Sequence, residues 1–254
     1  MKKYISSFVI LFVIILSPFF VIAEEIDTSN IYVEPLIKME FITVPAGCFV
    51  MSKNLIKNNK KLERKVCVEE FKMAKTEVTQ QQYLKVVGDN PSNHIGDDLP
   101  VEMVNWLDIQ KFIQKLNETT GKKFRLPSEA EWEYACLGGL AEAKYCGSGE
   151  VLDTLGWYWD NSGRVTHPVA QKLPNGFGLY DMSGNVSEWV QDCFNKFFEE
   201  VPTDGSAWEN EGCKFRVVRG GSYYEELPRQ LMYKRNGWNK TRSYRHMGFR
   251  LAME

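Results

Sequence analysis

Two carboxylates, Asp181 and Glu188, lie within one glycine-rich stretch that runs from Asn175 to Trp189. Ser183 and Asn185 stand between them and add two more oxygen-bearing side chains. Oxygen ligands on a loop that glycine allows to bend tightly are what a hard cation such as calcium requires. The two acids are too close in sequence for an EF-hand loop. A polar turn without a bound ion is the alternative that this stretch alone leaves open.

The other candidate motifs for chemistry are weak. His94, His167 and His246 are not at metal-ligand spacing from one another, which argues against a zinc or non-haem iron site built on histidines. The two glycines of 176–178 are not followed by the third glycine of a dinucleotide fingerprint. The Arg-Gly-Gly-Ser of 219–222 lacks a P-loop lysine, so a tight backbone crossing is favoured there over a ligand cradle.

The first 23 residues have the pattern of a secretory signal peptide. Lys2 and Lys3 precede a long apolar run, and Ala23 ends a segment suited to cleavage. The alternative is an uncleaved anchor helix, because the apolar run is nearly long enough to span a bilayer. We expect cleavage after Ala23 and an exported protein, either periplasmic or extracellular. No later segment is apolar enough to span, so the mature chain is not expected to be an integral membrane protein.

The cysteines fit the same compartment. An even number of cysteines in an exported chain indicates disulfides rather than reactive or metal-binding thiols, and no C-x-x-C motif occurs. The sequence alone leaves the connectivity open. Pairs between neighbouring cysteines are favoured because each would close a short polar excursion. These pairs are Cys48 with Cys67, Cys136 with Cys146, and Cys193 with Cys213.

Length and charge narrow the class of protein further. The chain has 254 residues and a net charge of −2, which the loss of Lys2 and Lys3 would change to −4. There is no basic excess to suggest binding to nucleic acid or to anionic lipid. The mature length suits one domain with a core of its own.

The elements that must position these residues are clearest in the first half. Residues 24–38 form a polar lead, and the basic run 53–65 is expected to be a solvated loop. The patterns predict a strand over 41–51, broken at Pro45 and Gly47, and a second strand over 66–73.

Three helices follow with recognisable ends. Thr79 caps a helix that Gly88 stops, and an apolar stripe from Trp106 predicts a second helix that ends at Gly121. A capping box at 128–131 opens a third helix that continues to about Cys136. Beyond Gly138 regular patterns fade, and only 215–219 and 248–252 resemble strands.

Taken in order, the motifs resemble the formylglycine-generating enzyme family, also called sulfatase-modifying factors. The resemblance covers 39–252, and seven motifs in the same order make it specific. The motifs are Val44 to Gly47, Thr76 to Thr79, Pro100 to Trp106, Arg125 to Ala135, Asn175 to Trp189, Arg219 to Ser222 and Gly248 to Arg250.

The resemblance implies a fold and a metal. The fold is a single α+β domain, the formylglycine-generating-enzyme variant of the C-type lectin-like fold, with little regular secondary structure. The implied ligands of a structural calcium ion are the Asp181 side chain, the carbonyls of Gly184 and Val186, and the Glu188 carboxylate.

This sequence departs from the family where the catalytic members bind copper. Those members hold copper through two cysteines just after the Gly-Gly-Ser, because soft thiolates suit Cu(I). The matching positions here are Glu225 and Gln230, and no cysteine follows Cys213. Ser222, beside the site, is retained. We therefore expect neither copper nor formylglycine synthesis, so that the chain is a pseudoenzyme.

Two functions from different classes fit this pattern. The first is a calcium-stabilised binding or scaffold module for a protein or peptide partner, because lectin-type folds display variable loops on a rigid frame. Aromatic and arginine side chains, which recognition surfaces favour, crowd the segment after Ser222; ordinary use of these residues in the core and in salt bridges is the alternative. The residues of this predicted ligand surface are Tyr223, Tyr224, Tyr233, Trp238, Arg235 and Arg245.

The second function is an oxidoreductase of the same family that uses a site without cysteine. Glu225, Glu226 and His246 are the residues that such a site would use. The iron enzymes of the family bring their histidines from an extra domain that has no counterpart here, so iron is not supported.

Overall fold

A computed structural model of the protein describes residues 30–254 except 52–55, 58–59, 62–63, 148–150 and 196–200. The predicted signal peptide at 1–23 lies outside the described residues. Of the helices that are described, none has the length and apolar character needed to cross a membrane.

The three predicted helices are present with the predicted caps. The side chains of Thr79 and Ser128 each accept a backbone N–H from the first turn of their helix. Their own backbone N–H groups donate to the side chains of Gln82 and Glu131, which completes two capping boxes. Each helix ends at a glycine in the left-handed conformation, which glycine adopts without the penalty of a Cβ atom. The helices are α1 (Gln80–Val87), α2 (Trp106–Thr120) and α3 (Glu129–Leu137).

The strands form two main sheets and two short ribbons. One sheet has the order β1-β2-β7-β13-β8, and the other has the order β11-β10-β9-β12 with β9 and β12 parallel. Strand β3 pairs with β6, and β4 pairs with β5. The strands are β1 (Ile31–Glu34), β2 (Met39–Val44), β3 (Gly47–Met51), β4 (Ile56–Lys57), β5 (Lys60–Lys61), β6 (Arg64–Val68), β7 (Phe71–Ala74), β8 (Phe124–Arg125), β9 (Ser187–Cys193), β10 (Phe215–Arg219), β11 (Asn236–Asn239), β12 (Met247–Gly248) and β13 (Ala252–Met253).

Several boundaries differ from the sequence prediction. The strand predicted over 66–73 is two strands, β6 and β7, which belong to different sheets. Part of the lead predicted over 24–38 is β1, because the consecutive residues Ile31–Glu34 pair with β2 at the edge of the five-stranded sheet. The basic run 53–65 contains β4 and β5 where it is described. Strand β9, which carries Glu188, was not predicted.

Two apolar clusters hold these layers together. One joins α1 and α2 to the five-stranded sheet, and in it Tyr83 stacks on Phe112 with ring centroids 5.2 Å apart. The other packs α3 against β3, β6, β9 and β10, with Trp132 fully buried at its centre. The three predicted disulfides are confirmed: Cys48–Cys67, Cys136–Cys146 and Cys193–Cys213.

Candidate functional site

The loop that runs from Asp181 into β9 is tightly folded and buried. Asp181 and Asn185 both adopt positive φ, at 56° and 53°, and Gly184 lies between them at 89°. A Cβ atom at Gly184 would overlap the carbonyl oxygen of Trp157, so only glycine fits there. The loop therefore places the predicted metal ligands inside the protein.

Glu188 is fixed by two donors at the start of β9. The guanidinium of Arg250 donates to both carboxylate oxygens, with Nε–Oε2 at 2.7 Å and Nη2–Oε1 at 2.6 Å. The indole Nε1 of Trp132 donates to Oε2 at 2.7 Å. This bidentate pair is fully buried, so the arginine both neutralises and orients the carboxylate.

The Asp181 carboxylate accepts fewer hydrogen bonds than that of Glu188. Its Oδ2 accepts the backbone N–H of Ala170 at 2.7 Å, whereas Oδ1 is buried and has no hydrogen-bond partner among the described residues. Burial, reinforced by the charge of Glu188, raises the pKa of Asp181 to about 6. An unpartnered buried carboxylate oxygen requires a donor or a cation.

A third buried acid, Glu77, accepts hydrogen bonds from the same loop. Its carboxylate accepts the N–H of Val186 at 2.9 Å and the side-chain amide of Asn185 at 2.7 Å. Burial and then the charges of Asp181 and Glu188 raise the pKa of Glu77 well above its ordinary value. Three carboxylates thus interact around one arginine, and the surplus negative charge favours a proton or a cation.

The predicted calcium ligands fit a cation on these grounds. Asp181 has its free Oδ1, and Oε1 of Glu188 accepts one hydrogen bond, which leaves a lone pair for a metal. The described part of the chain contains no group of three His, Cys, Asp or Glu side chains arranged to hold a metal. A calcium ion here would therefore depend on the backbone carbonyls of Gly184 and Val186 as well.

The positions that match the copper ligands form a hydrogen-bonded turn. The fully buried Gln230 donates its side-chain amide to the carbonyls of Ser222 at 2.8 Å and Glu225 at 3.0 Å. The Glu225 carboxylate accepts the hydroxyls of Ser222 and Ser187, each at 3.3 Å. Burial raises the pKa of Glu225. The turn is thus closed by amide and hydroxyl donors.

No cysteine thiolate is available at the positions that match the copper ligands. All six cysteines of the chain are in disulfides, and none of them lies at Glu225 or Gln230. Soft thiolate ligands for Cu(I) are therefore missing from this turn. Glu225, Glu226 and His246 are not a cluster of three metal-ligating side chains, and the described residues hold none.

Five rings form a continuous aromatic face on the same side of the turn. The ring of Tyr224 is 5.3 Å from that of Trp159 and 6.5 Å from that of His246. The ring of His246 is 6.0 Å from Trp238 and 5.8 Å from Tyr244. Tyr224 is 37% exposed and the other four are half-buried, so the rings are both anchored and accessible.

Hydrogen bonds attach this aromatic face to the loop below it. The hydroxyl of Ser162 donates to the carbonyl of Tyr223 at 2.8 Å, and the N–H of Trp159 donates to the carbonyl of Glu225 at 3.1 Å. The Tyr223 hydroxyl donates to the carbonyl of Arg245 at 3.1 Å. Two distant chain segments are thereby held side by side.

Of the six residues predicted for the ligand surface, three have accessible side chains and two have buried side chains. Tyr224, Trp238 and Arg245 are accessible. Tyr223 is 1% exposed because its ring packs inward beside His94. The side chain of Arg235 is also buried, because its guanidinium binds the Glu129 carboxylate inside the fold. Neither residue is available to a partner.

Tyr233 is half-buried, with the ammonium group of Lys234 above its ring, and no ring contact joins it to the described aromatic face. Sequence reasoning missed Trp159 and Arg164, whose guanidinium lies 4.0 Å from the Trp159 ring centroid. The cluster of aromatic residues at 157–159 was the available signal, but nothing in the sequence placed it beside Tyr224.

Comparisons with known proteins agree with this architecture. The sequence profile described as "Sulfatase-modifying factor enzyme 1-like domain" matches residues 34–254. The chain is 31% identical to the chaperone protein LppX of Paenibacillus barcinonensis, covering 74% of this chain and 80% of the relative. It is 35% identical to the formylglycine-generating enzyme of Streptomyces coelicolor, covering 60% of this chain and 52% of the enzyme, so it spans about half the enzyme's length.

Two solved structures are similar over most of their length. Treponema denticola variable protein 1 superposes with a TM-score of 0.80 at 27% identity, covering 88% of this chain and 98% of that one. PvdO from Pseudomonas aeruginosa superposes with a TM-score of 0.78 at 28% identity, covering 88% and 97%.

Proposed function

The chain belongs to the family of sulfatase-modifying factor enzyme 1-like domains, and we propose that it is an exported, calcium-stabilised binding module without formylglycine synthase activity. Its fold is the predicted α+β, C-type lectin-like fold of formylglycine-generating enzymes. The activity and partner are not fixed by family membership, because one fold supports several functions.

The turn at Glu225 and Gln230 is the main support for the absence of formylglycine synthase activity. Both copper-ligand positions hold oxygen and nitrogen groups, and the Gln230 amide is already bound to two backbone carbonyls. With all six cysteines in disulfides, Cu(I) has no thiolate to bind. Calcium, if bound by Asp181 and Glu188, would stabilise the loop beneath the face and would take no part in redox chemistry.

The aromatic face supports the binding role. Aromatic side chains offer large contact areas at little entropic cost, and exposed clusters of them mark interaction sites. A relative of this chain is named a chaperone protein, which favours a protein or peptide as the partner. Export is supported by the three disulfides, which persist in oxidising compartments.

The catalytic part of the proposal is tested with a sulfatase-type cysteine peptide. The mature protein is incubated with the peptide in air, with added copper and separately with added iron, and the peptide mass is measured. The Streptomyces coelicolor enzyme is the positive control. We expect an unchanged peptide mass with both metals, whereas conversion of the cysteine above the level of metal alone would overturn the loss of activity.

The binding part is tested with short synthetic peptides and two variants. Trp238→Ala removes a ring of the aromatic face, and Tyr233→Ala removes a nearby ring outside it. Peptides that bind the protein should lose binding in Trp238→Ala and keep it in Tyr233→Ala. Equal binding by both variants and the parent protein would place the binding site elsewhere.

A further inference from the structure

Two arginines extend the aromatic face outward. The guanidinium of Arg245 lies 4.2 Å from the ring centroid of Tyr224, and that of Arg164 lies 4.0 Å from that of Trp159. Both arginines are exposed. Stacking on a ring holds the planar guanidinium in place and leaves its N–H groups free to donate to a ligand.

These cations differ from five other arginines, which lie inside the protein or at its edges and are matched to glutamates. The exposed Arg229 is not one of the five, because its side chain donates to Asn236. The matched pairs are Arg125 with Glu131, Arg216 with Glu209, Arg219 with Glu129, Arg235 with Glu129, and Arg250 with Glu188.

Three arginines around the aromatic face lack a glutamate or aspartate partner in the part of the chain that the structure describes. Among the described residues, Arg164, Arg242 and Arg245 are in no ion pair with a carboxylate, although Arg245 acts at longer range on Glu102. Arg242 lies in the exposed turn between β11 and Tyr244. Unmatched arginines beside partly exposed rings, in a chain whose net charge is −2, form a local site of positive potential.

Carboxylates near this region do not pair with these arginines. Asp160 and Glu226 are exposed, and neither is in an ion pair with Arg164, Arg242 or Arg245 among the described residues. Glu225 is half-buried and is engaged by two serine hydroxyls. The guanidinium groups therefore face solvent with unused donors.

We propose that the partner of the aromatic face is an acidic peptide segment whose carboxylates bind Arg164, Arg242 and Arg245 while an apolar or aromatic side chain packs on the rings. This inference rests on the proposed binding function and names the chemistry of its partner. Arginine binds carboxylates in a bidentate geometry that a point charge does not match. Complementary charge also speeds encounter between partners.

A neutral sugar would use the rings but would not need unmatched cations. A sulfated glycan would use the cations, but it would gain little from five rings that bury apolar surface. An acidic peptide uses both features, which is why the face favours it.

The test uses three synthetic peptides of about twelve residues with the same tryptophan and leucine core, flanked by glutamate, glutamine or lysine. Binding to the intact protein in calcium buffer is measured by fluorescence anisotropy at low and moderate salt. We expect the glutamate peptide to bind at least tenfold more tightly than the glutamine peptide, and moderate salt to reduce this difference.

Two double variants make the test specific. Arg242→Gln with Arg245→Gln should remove the preference for glutamate over glutamine. Lys111→Gln with Lys115→Gln removes the same charge from exposed positions on α2 and should leave the preference intact. Circular dichroism and melting curves confirm that each variant is folded.

Three outcomes would overturn the acidic partner. These are equal binding of the glutamate and glutamine peptides, an unchanged preference in the arginine variant, or a heparin oligosaccharide that binds more tightly than the glutamate peptide and displaces it. If the glutamine peptide binds and Trp238→Ala abolishes that binding, the binding function stands while the preference for acid fails. If no peptide binding depends on Trp238, the face is not the binding site and both proposals fail.

Discussion

The backbone N–H of Tyr223 donates to the carbonyl of Asn185 at 2.8 Å, which joins the predicted calcium loop to the chain that carries the aromatic face. Asn185 lies between the carbonyls that calcium would use, and Tyr223 in turn supports Arg245 through its hydroxyl. Two hydrogen bonds thus connect the predicted calcium loop to the aromatic face.

Removal of calcium should therefore lower both stability and binding. An ion that binds only the folded state stabilises it by about 2.7 kcal/mol at a hundredfold excess over its Kd, which corresponds to a melting shift of several degrees. We expect chelator to lower the Tm of the mature protein by this order, and Asp181→Ala to abolish the response. The exposed Asp97→Ala is the matched control. An identical melting curve with and without chelator would contradict the calcium assignment.

Loss of Arg250 should be strongly destabilising, because it leaves the Glu188 carboxylate buried without its partner. We expect Arg250→Met to cost about 3–5 kcal/mol in free energy of unfolding, measured by urea denaturation in calcium buffer. Arg125→Met breaks the more exposed pair with Glu131 and should cost about 1 kcal/mol or less. Similar costs for the two variants would mean that the buried pair has no special role.

Stability should depend on His246 at mildly acidic pH. Burial, and then the charge of Arg245, lowers the pKa of His246 from 6.5 to about 4. The unfolded state therefore binds a proton between pH 6.5 and 4 while the folded state does not. This contribution to the free energy of unfolding is present above pH 6.5 and is lost as the pH falls, by up to about 1.4 kcal/mol per pH unit. His246→Gln should flatten the curve over this range, and an unchanged slope would contradict the assignment.

Copper binding should return when the two cysteines are restored. We expect Glu225→Cys with Gln230→Cys to bind one Cu(I) under anaerobic conditions, measured by competition with a colorimetric chelator, because the turn brings these positions together. The parent protein and Glu225→Ser with Gln230→Ser are the controls. Equal Cu(I) uptake by the serine variant would show that binding does not involve this turn.

Local signals determined which features could be read from the sequence. The helix caps at Thr79 and Ser128 are encoded within a few residues, and both capping boxes are present. The motif order identified the family and its fold. Strand β9 was missed because Ser187–Cys193 is buried throughout most of its length and lacks the alternation of a half-exposed strand.

Contacts between residues far apart in the sequence determine the features that could not be predicted. Nothing near Arg235 in the sequence indicates that it binds Glu129, and the pair brings Arg235 inside the fold. Likewise, Trp159 joins Tyr224 across more than sixty residues of chain. The many aromatic and arginine residues of 223–246 were therefore visible in the sequence, whereas it did not show which of them are exposed.

The order of the disulfides has a consequence for how the chain matures. The cysteines pair first with second, third with fourth and fifth with sixth, so the bridges are neither nested nor interleaved. If the chain is translocated from its N-terminus, the first cysteine of each pair to enter an oxidising compartment meets its native partner as the next cysteine to arrive. Sequential oxidation would then give the native bridges without reshuffling by an isomerase.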